Sequence, residues 1–415
     1  MSKVKLPKDW QIKTLGEICE TTSGGTPSRG NKSYYNGTIP WVKSGELNKG
    51  VIYDTEEKIT EEAIKNSSAK IFPKGTLLIA LYGATIGKLA FLGVDAATNQ
   101  AVCGIYQNDS IDSKYIYNFL FLKKQDLVKQ GIGGAQPNIS QTILKKLAIP
   151  LPNLETQQTI VSKIEELFSE LDKGIEDLKT AQQQLKTYRQ SVLKWAFEGK
   201  LTNENVKDGE LPKGWKIEAI NTVSSINPKL PNKENLDKEM EVQFLPMKLV
   251  EEIINKIHLS DIKKLHEVLK GSYTPFIDND IIFAKVTPCM ENGKIAIVEK
   301  LKNGIGFGSS EFHVIRTNEK VSNKYMFYFL VQDRFRNEAA NEMTGAVGLR
   351  RVPKQFIENY QIHIPSIEEQ QLIVQEIENR LSVADKMEES IAQSLQQAEA
   401  LRQSILKKAF SGELV

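Results

Sequence analysis

The sequence predicts an α+β protein made of two similar halves, in which short strands outnumber helices and one long helix closes each half. Two observations carry this prediction. A heptad pattern of apolar residues runs from about Asn153 to Phe197 and returns 213 residues later, at the end of the chain. The sequence segment at the end of the pattern is also repeated: RQSVLKWAFEGKL (Arg189 to Leu201) is similar to RQSILKKAFSGEL (Arg402 to Leu414). The chain therefore contains an internal duplication.

The heptad positions predict a coiled-coil seam between the two long helices. Arg380, Ser394 and Lys408 interrupt one row of the second helix with polar side chains. A short linker leaves the second half beside the C-terminal end of the first helix, so the second helix is expected to run back antiparallel, giving a pseudo-twofold repeat. The residues predicted to form the seam are Ile160, Ile164, Leu167, Leu171, Leu178, Leu185, Val192, Ile373, Ile377, Met387, Ile391, Leu401 and Ile405.

Each half begins with the same turn and strand, LPKDWQIKTL (Leu6 to Leu15) and LPKGWKIEAI (Leu211 to Ile220). Alternating apolar residues then predict strands, and KYIYNFL (Lys114 to Leu120) and KYMFYFL (Lys324 to Leu330) predict a helix in each half. The predicted boundaries are 1–152 for the first domain, 153–201 for the central helix, 202–210 for a linker, 211–364 for the second domain and 365–415 for the C-terminal helix.

Composition narrows the class of protein. Neither a signal peptide nor a run of eighteen apolar residues is present in this sequence, so a cytoplasmic protein with no membrane association is expected. The three cysteines lack paired metal-ligand spacing, which predicts buried free thiols and no metal site. The globular regions 1–150 and 211–364 carry net charges of +6 and +3, and the two helical regions carry −3 and −4. A polyanion would therefore bind the globular regions.

Motifs for catalysis are missing from the sequence. GATIGK (Gly83 to Lys88) is one residue too short for a nucleoside-triphosphate loop, and no dinucleotide-binding glycine motif follows a strand. The four histidines are too widely spaced to form a zinc-protease motif. We therefore expect no catalytic residue and no cofactor in this chain.

Sequence-specific DNA binding has positive support, because both halves place base-reading residue types on turn-rich loops. Arg and Lys read guanine, Asn and Gln read adenine, and Asp and Glu read cytosine. Each of these side chains taken singly could instead contact phosphate or solvent, which is the more common role. The candidates are Ser28, Arg29, Lys32, Tyr34, Lys43, Lys88, Gln136 and Asn138 in the first half, and Lys285, Glu291, Asn292, Lys294, Glu311, Arg350 and Arg351 in the second.

Several of these segments together resemble the DNA specificity subunit of type I restriction-modification systems. They are SGGTPSRG to YYNGTIPWVKSGEL (Ser23 to Leu47), GGAQPNIS, FAKVTPCMENGKIAIV (Phe283 to Val298), GSSEFHVIR (Gly308 to Arg316) and both long helices. The second half departs from the pattern at GAVGLRRVP (Gly345 to Pro353), where the counterpart of Gln136 is left open between Leu349 and Arg350.

The resemblance implies two target-recognition domains, each reading one half of a split site in double-stranded DNA. It also implies a non-catalytic chain that recruits modification subunits, which use S-adenosylmethionine, and restriction subunits, which use ATP and Mg. Two alternatives stay open: a coiled-coil scaffold whose globular ends bind protein, and a solitary enzyme. Salt-sensitive, sequence-dependent DNA binding would favour the specificity subunit over the protein-binding scaffold. Turnover by the purified chain would favour the solitary enzyme.

Overall fold

The computed structural model describes residues 6–130, 138–203, 205–207, 209–346 and 348–415. The chain forms two compact units. Unit 1 comprises residues 1–178 and 393–415, and unit 2 comprises residues 179–392. Each long helix therefore contributes one segment to each unit. Strands and helices are mixed in both units, as the α+β prediction requires.

Among its described residues, unit 1 holds three sheets, five α-helices and the C-terminal segment of the second long helix. Its strands are β1 Gln11–Thr14, β2 Thr21–Ser23, β3 Tyr35–Val42, β4 Val51–Ile52, β5 Lys58–Ile59, β6 Ile71–Phe72, β7 Leu77–Ala80, β8 Leu89–Leu92, β9 Ala96–Thr98, β10 Val102–Ile105 and β11 Ala148–Leu151. Its helices are α1 Leu15–Ile18, α2 Glu61–Lys65, α3 Ser113–Gln130, α4 Gln141–Lys145 and the long α5 Leu154–Phe197, which continues into unit 2.

Unit 2 repeats this order. Its strands are β12 Lys216–Ala219, β13 Ser224–Ile226, β14 Glu241–Leu245, β15 Asp261–Lys264, β16 Thr274–Ile277, β17 Ile281–Ala284, β18 Ile295–Ile297, β19 Ile305–Gly308, β20 Phe312–Thr317 and β21 Gln361–Ile364. Its helices are α6 Ile220–Val223, α7 Leu265–Val268, α8 Asn323–Val331, α9 Asp333–Asn341, α10 Lys354–Asn359 and the long α11 Ile367–Ser411, which continues into unit 1.

The sheets of the two units share one topology. The order β2-β10-β7-β8 in unit 1 matches β13-β20-β17-β18 in unit 2, and unit 1 adds β4 at the edge. The order β5-β3-β9-β6 matches β15-β14-β19-β16, and in both sheets the central pair is parallel and the outer pairs are antiparallel. The internal duplication read from the sequence is thus a duplication of fold.

The C-terminal end of a long helix completes the core of each unit. In unit 1 the Phe410 ring packs against Tyr115 and Phe119, with ring centroids 4.9 and 5.0 Å away. In unit 2 Phe197 packs against Tyr325 at 4.9 Å and against Phe329 at 5.3 Å. Both phenylalanines are buried, so each core includes the end of a long helix. Unit 2 takes it from the helix that precedes its domain, and unit 1 takes it from the C-terminal end of the chain.

The N-terminal end of each long helix is fixed by a buried glutamine. The Gln157 side chain accepts a hydrogen bond from the Asp112 backbone N–H at 3.0 Å and donates to the Pro152 carbonyl at 2.9 Å. Gln370 accepts from the Ser322 N–H at 2.9 Å and donates to the Pro365 carbonyl. Each glutamine begins a Gln-Gln pair, Gln157-Gln158 and Gln370-Gln371, so the repeated pair marks the same junction in both units.

Within each unit the two long-helix segments run antiparallel. In unit 1 Arg402 forms an ion pair with Asp172, and Val415 lies against the surface around Gln158. In unit 2 Arg189 pairs with Asp385 at 2.6 Å, and Thr202 donates to Glu369 at 3.1 Å. In both units the residue number on one helix falls as it rises on the other.

The structure corrects part of the predicted seam. Met387 and Leu401 are 52% and 50% exposed, so they do not lie between the helices. The buried stripe follows the other heptad row, where Ile377, Ala384, Ile391, Ala398 and Ile405 are all buried. The positions four residues after Ile377, Ala384, Ile391 and Ala398 are half-buried. A pair of helices covers only a narrow stripe, and 3.6 residues per turn moves the stripe away from a strict heptad seam. The seam residues Ile160, Ile164, Val192 and Ile373 are also buried, while Leu167, Leu171, Leu178 and Leu185 are half-buried.

Candidate nucleic-acid interface

In unit 1 the candidate residues gather around Glu57. The Arg29 guanidinium contacts this carboxylate through two nitrogens, at 2.6 and 3.3 Å. The Lys43 ammonium donates to Glu57 at 3.1 Å and to Glu56 at 3.0 Å. The hydrogen bond from Arg29 lowers the pKa of Glu57, so the carboxylate stays ionised and holds both cations in place.

Two aromatic rings also support Arg29. Its guanidinium carbon lies 4.6 Å from the centroid of the Tyr35 ring and 5.1 Å from that of Trp41. The side chain is nevertheless 56% exposed. Because its planar fork is held from below and to one side, the exposed edge keeps one orientation toward solvent, which is the property that a base or phosphate contact requires.

The loop that carries Arg29 is tied to the strands beneath it. Trp41 donates its indole N–H to the Gly25 carbonyl at 3.1 Å, and the Tyr35 hydroxyl donates to the Pro27 carbonyl at 2.7 Å. A side chain at Gly24 would meet Thr98, since a Cβ there would lie 2.0 Å from the threonine hydroxyl. Glycine is needed at this position for the close approach of loop and sheet.

The remaining candidates of unit 1 are less constrained. Ser28 and Lys32 are exposed on the same loop, and Tyr34 is half-buried against the core. Lys88 is half-buried where the chain enters β8. Asn138 is exposed and forms a β-bridge with Tyr82. Gln136 lies outside the described residues.

In unit 2 a second cluster is built on Glu311 and Arg351, at a place in the fold that differs from that of the Arg29 cluster. Their side chains form a two-pronged ion pair, with nitrogen to oxygen distances of 2.8 and 2.9 Å. The hydrogen bond from Arg351 lowers the pKa of Glu311. Lys285 joins them through its backbone, which donates to the Glu311 carbonyl at 2.9 Å and accepts from the Val352 N–H at 2.9 Å. Arg350 is exposed beside this pair.

Three candidates of unit 2 have internal partners. Lys294 donates its ammonium hydrogens to the Met247 and Val250 carbonyls at 3.4 and 3.1 Å. Asn292 donates to the Glu252 carboxylate at 3.0 Å. The Glu291 carboxylate accepts from the Thr287 hydroxyl at 3.1 Å. These contacts brace the loops, and of the three side chains only that of Asn292 is exposed.

Backbone register now answers the question that the sequence left open at GAVGLRRVP. The Ile139 N–H donates to the Leu81 carbonyl at 2.9 Å, as the Val352 N–H does to Lys285. Tyr82 forms a bridge with Asn138, and Val286 forms one with Arg351. Asn138 and Arg351 are therefore equivalent, and two residues earlier Leu349 takes the sequence position of Gln136.

Sequence reasoning missed Glu57, Tyr35 and Trp41, and it named Leu349 only as a possible counterpart of Gln136. Glu57 lies 28 residues from Arg29 along the chain, and no local pattern connects them. Tyr35 and Trp41 had an ordinary explanation as core aromatics. A weak signal for Leu349 existed, because an aliphatic residue stands next to two arginines in a loop of glycines.

We also searched the described residues for metal ligands, membrane-spanning helices and free thiols. They include no group of three His, Cys, Asp or Glu side chains that could hold a metal ion. None of the helices that the structure describes is both long and apolar enough to cross a membrane. Cys19 and Cys103 are buried free thiols, and burial raises the pKa of Cys19 to about 11.

Comparison with known proteins identifies the class to which this architecture belongs. The family model for the type I restriction modification DNA specificity domain matches residues 7–180 and residues 212–397, one match for each half of the duplication. The chain belongs to this family.

Two relatives illustrate the range of similarity. The specificity subunit of the type I restriction enzyme MjaIX from Methanocaldococcus jannaschii is 30% identical over 308 residues, which cover 71% of this chain and 70% of that protein. The EcoAI specificity subunit from Escherichia coli is 40% identical over 168 residues. That match covers 40% of this chain and 28% of the relative, so it spans less than a third of the relative's length.

Solved structures share the fold over nearly the whole chain. A chain from a type I R-M system, solved to explain complex assembly and conformational transition, superimposes with a TM-score of 0.74 and 18% identity over 99% of both chains. The HsdS subunit from Thermoanaerobacter tengcongensis gives a TM-score of 0.60 and 19% identity, again over 99% of both chains. At these identities the likeness concerns the fold.

Proposed function

We propose that this chain is the non-catalytic specificity subunit of a type I restriction-modification complex, and that each unit reads one half of a bipartite DNA site. The observation that carries the proposal is the contrast between two units of one topology and two clusters of different chemistry. Unit 1 presents Arg29 and Lys43 on Glu57, and unit 2 presents Arg351 on Glu311. Two such readers would recognise two different sequences.

The chemistry of the complex would reside in its partners. Modification subunits would bring S-adenosylmethionine and methylate DNA, and restriction subunits would bring ATP and Mg and cut it. A groove of about 860 Å³ in unit 2 suits the docking of such a subunit, because it lies at the C-terminal end of α5 and is lined by aromatic rings with a charged rim. Phe356, Tyr360, Arg334 and Glu338 contribute to it.

The first experiment maps methylated sites in cells that carry this chain and its modification subunit. A split sequence with two fixed parts is expected. Exchanging unit 1 residues 11–151 for the equivalent region of a family member of different specificity should change one part and keep the other. Binding without sequence preference, or binding only to protein, would favour the scaffold alternative.

The two long helices, each of which contributes to both units, would also set the distance between the half-sites as a stiff spacer of about 65 Å. Residues 177–183 and 390–396 can be removed together, since each deletion is one heptad and leaves both interhelical ion pairs of Arg189 and Arg402 intact. The spacer should shorten by roughly 10 Å, or about three base pairs if the helices lie along the duplex.

Three base pairs also rotate one half-site by nearly a third of a helical turn, so the DNA must twist or bend at a cost of a few kcal/mol. The expected methylation pattern keeps both half-site sequences with a shorter, fixed gap. A shortened, assembled and active complex that still methylates the original spacing would exclude the helices as the spacer. Deleting residues 177–183 alone is the control, because it misaligns the pair and should impair assembly.

A further inference from the structure

The tip of one hairpin in unit 2 presents an aliphatic side chain beside two arginines. Thr344 and Arg351 exchange backbone hydrogen bonds of 3.0 and 2.8 Å, which closes the hairpin. Near its tip Leu349 donates its N–H to the Ala346 carbonyl at 2.9 Å, and the Leu349 side chain is 58% exposed. A single exposed leucine is ordinary on a protein surface, so its setting decides what it can do.

That setting is rigid and cationic. The Arg351 guanidinium donates to the Leu349 carbonyl at 3.1 Å and binds Glu311 with its other nitrogens. The peptide of Leu349 is thereby fixed to the ion pair that orients Arg351. Arg350 is exposed at the adjacent position, where it can contact a phosphate while Leu349 projects. The Leu349 backbone is therefore held in place at the edge of the candidate interface, with its side chain exposed.

The position of Leu349 in the duplicated fold specifies its chemistry. Because Asn138 and Arg351 are equivalent, Leu349 aligns in sequence with Gln136, which lies outside the described residues. A glutamine amide pairs with the hydrogen-bonding edge of adenine, whereas an aliphatic side chain offers no hydrogen bond. In the major groove the one apolar group on a base edge is the C5-methyl of thymine.

We propose that Leu349 is a specificity-determining residue that contacts the C5-methyl group of a thymine in the half-site read by unit 2. This inference rests on the proposed function, since it requires that unit 2 reads DNA. It assigns unit 2 a methyl contact where unit 1 has an amide. Arg351 and Glu311 act as positioning residues for it, in addition to any contact that Arg351 makes itself.

The experiment removes one partner of the contact at a time. Deoxyuridine lacks the methyl group of thymine, and Leu349→Ala lacks the leucine side chain beyond Cβ. The assembled complex is tested on duplexes with the mapped site, in which every thymine of the second half-site is replaced, one at a time, by deoxyuridine. For the wild type, one replacement should lower affinity about fourfold, the size expected from one buried methyl group. Leu349→Ala should bind the unmodified site less tightly by a similar factor and should lose its sensitivity to that replacement.

Two controls match these changes. Leu372→Ala removes a leucine of nearly equal exposure, 57%, from α11, and it should keep the wild-type response to deoxyuridine. Leu349→Gln keeps a side chain of similar length and should also lose the response. Thymines of the first half-site should respond alike in wild type and in both Leu349 variants.

Equal deoxyuridine sensitivity in wild type and in Leu349→Ala would overturn the inference, as would a half-site without a sensitive thymine. If the wild-type complex did not prefer the mapped site over a scrambled duplex, the proposed function itself would fail. Loss of this inference alone would leave that preference intact, so the two failures are distinguishable.

Discussion

The junctions between helix and domain are repeated residue for residue, whereas the two candidate reading clusters lie at different places in the repeated fold. Phe410 and Phe197, and Gln157 and Gln370, make equivalent contacts in their own units. At the clusters, Asn138 in one unit corresponds to Arg351 in the other. A duplicated chain retains what both copies need, so the junctions serve a common task and the clusters serve separate ones.

The largest effect is expected at the junctions. Phe197→Ala and Phe410→Ala each remove a ring that is at most 5% exposed, and each should lower the free energy of unfolding by about 3–5 kcal/mol. Hydrogen exchange followed by mass spectrometry should show the loss in unit 2 for Phe197→Ala and in unit 1 for Phe410→Ala. Leu401→Ala, at a half-exposed helical position, is the control and should change little.

A similar loss of protection throughout the chain after both phenylalanine substitutions would contradict two separate cores. The comparison would then be between two parts of one cooperative unit.

The reading clusters should respond separately. Arg29→Ala is expected to weaken recognition of one half-site, and Arg350→Ala of the other, by about 1–3 kcal/mol each if the side chain contacts a base. Affinities for duplexes with substitutions in either half-site measure this directly. Gln136→Ala should behave like Arg29→Ala.

A uniform loss of affinity for all sequences, with a shallower dependence on salt, would instead assign the substituted arginine to a phosphate. Lys8→Ala offers a control for simple loss of positive charge, because Lys8 is exposed and lies outside both clusters.

Much of the scaffold followed from the sequence because it is written in periodic patterns. The long helix predicted from about Asn153 ends at Phe197 in the structure, and the helix predicted near Tyr115 spans Ser113–Gln130. The predicted seam was wrong at Met387 and Leu401, which are exposed. A heptad pattern gives the spacing of apolar residues but does not give the number of helices that pack against them.

The clusters were harder to predict because their order comes from distant pairings. Arg29 could be chosen from its residue type, but its orientation depends on Glu57, Tyr35 and Trp41. Lys294 was chosen for the same reason, and its ammonium instead contacts two backbone carbonyls. Residue type indicates what a side chain can bind, and only the fold decides what it meets.

A titratable difference between the units sharpens the comparison further. At equivalent positions on β20 and β10 unit 2 has His313 and unit 1 has Cys103. Val352 accepts a hydrogen bond from one ring nitrogen of His313 at 3.0 Å, and Asn227 lies 3.1 Å from the other. The Asn227 oxygen already accepts from the Val314 N–H, so its NH₂ group faces the ring, and a proton on that nitrogen would face another donor.

Burial lowers the pKa of His313 below its usual 6.5. The neutral ring thus favours the folded state, and its contribution to stability is present above about pH 6.5 and is lost as pH falls through the lower, folded pKa. Unit 2 should therefore lose hydrogen-exchange protection on mild acidification before unit 1, and His313→Gln should reduce this difference. Equal acid sensitivity of wild type and His313→Gln would assign it to other groups.

The smallest effect is expected from the interhelical ion pairs, which are equivalent but not identical. Arg189 pairs with two carboxylates, Asp385 and Glu388, whereas Arg402 pairs with Asp172 and also lies 4.6 Å from the centroid of the Phe168 ring. Because the acidic partners are largely exposed, Arg189→Gln and Arg402→Gln should each lower the free energy of unfolding by only about 0.2–1 kcal/mol.

The salt dependence of this cost should differ between the two variants. Salt at about 1 M screens charges beyond roughly 3 Å but leaves the packing of a guanidinium on a ring largely in place. Denaturation at low and high salt should therefore nearly abolish the cost of Arg189→Gln and retain part of that of Arg402→Gln. Equal salt dependence would mean that the ring contributes nothing and that the two helix pairs are held by the same interaction.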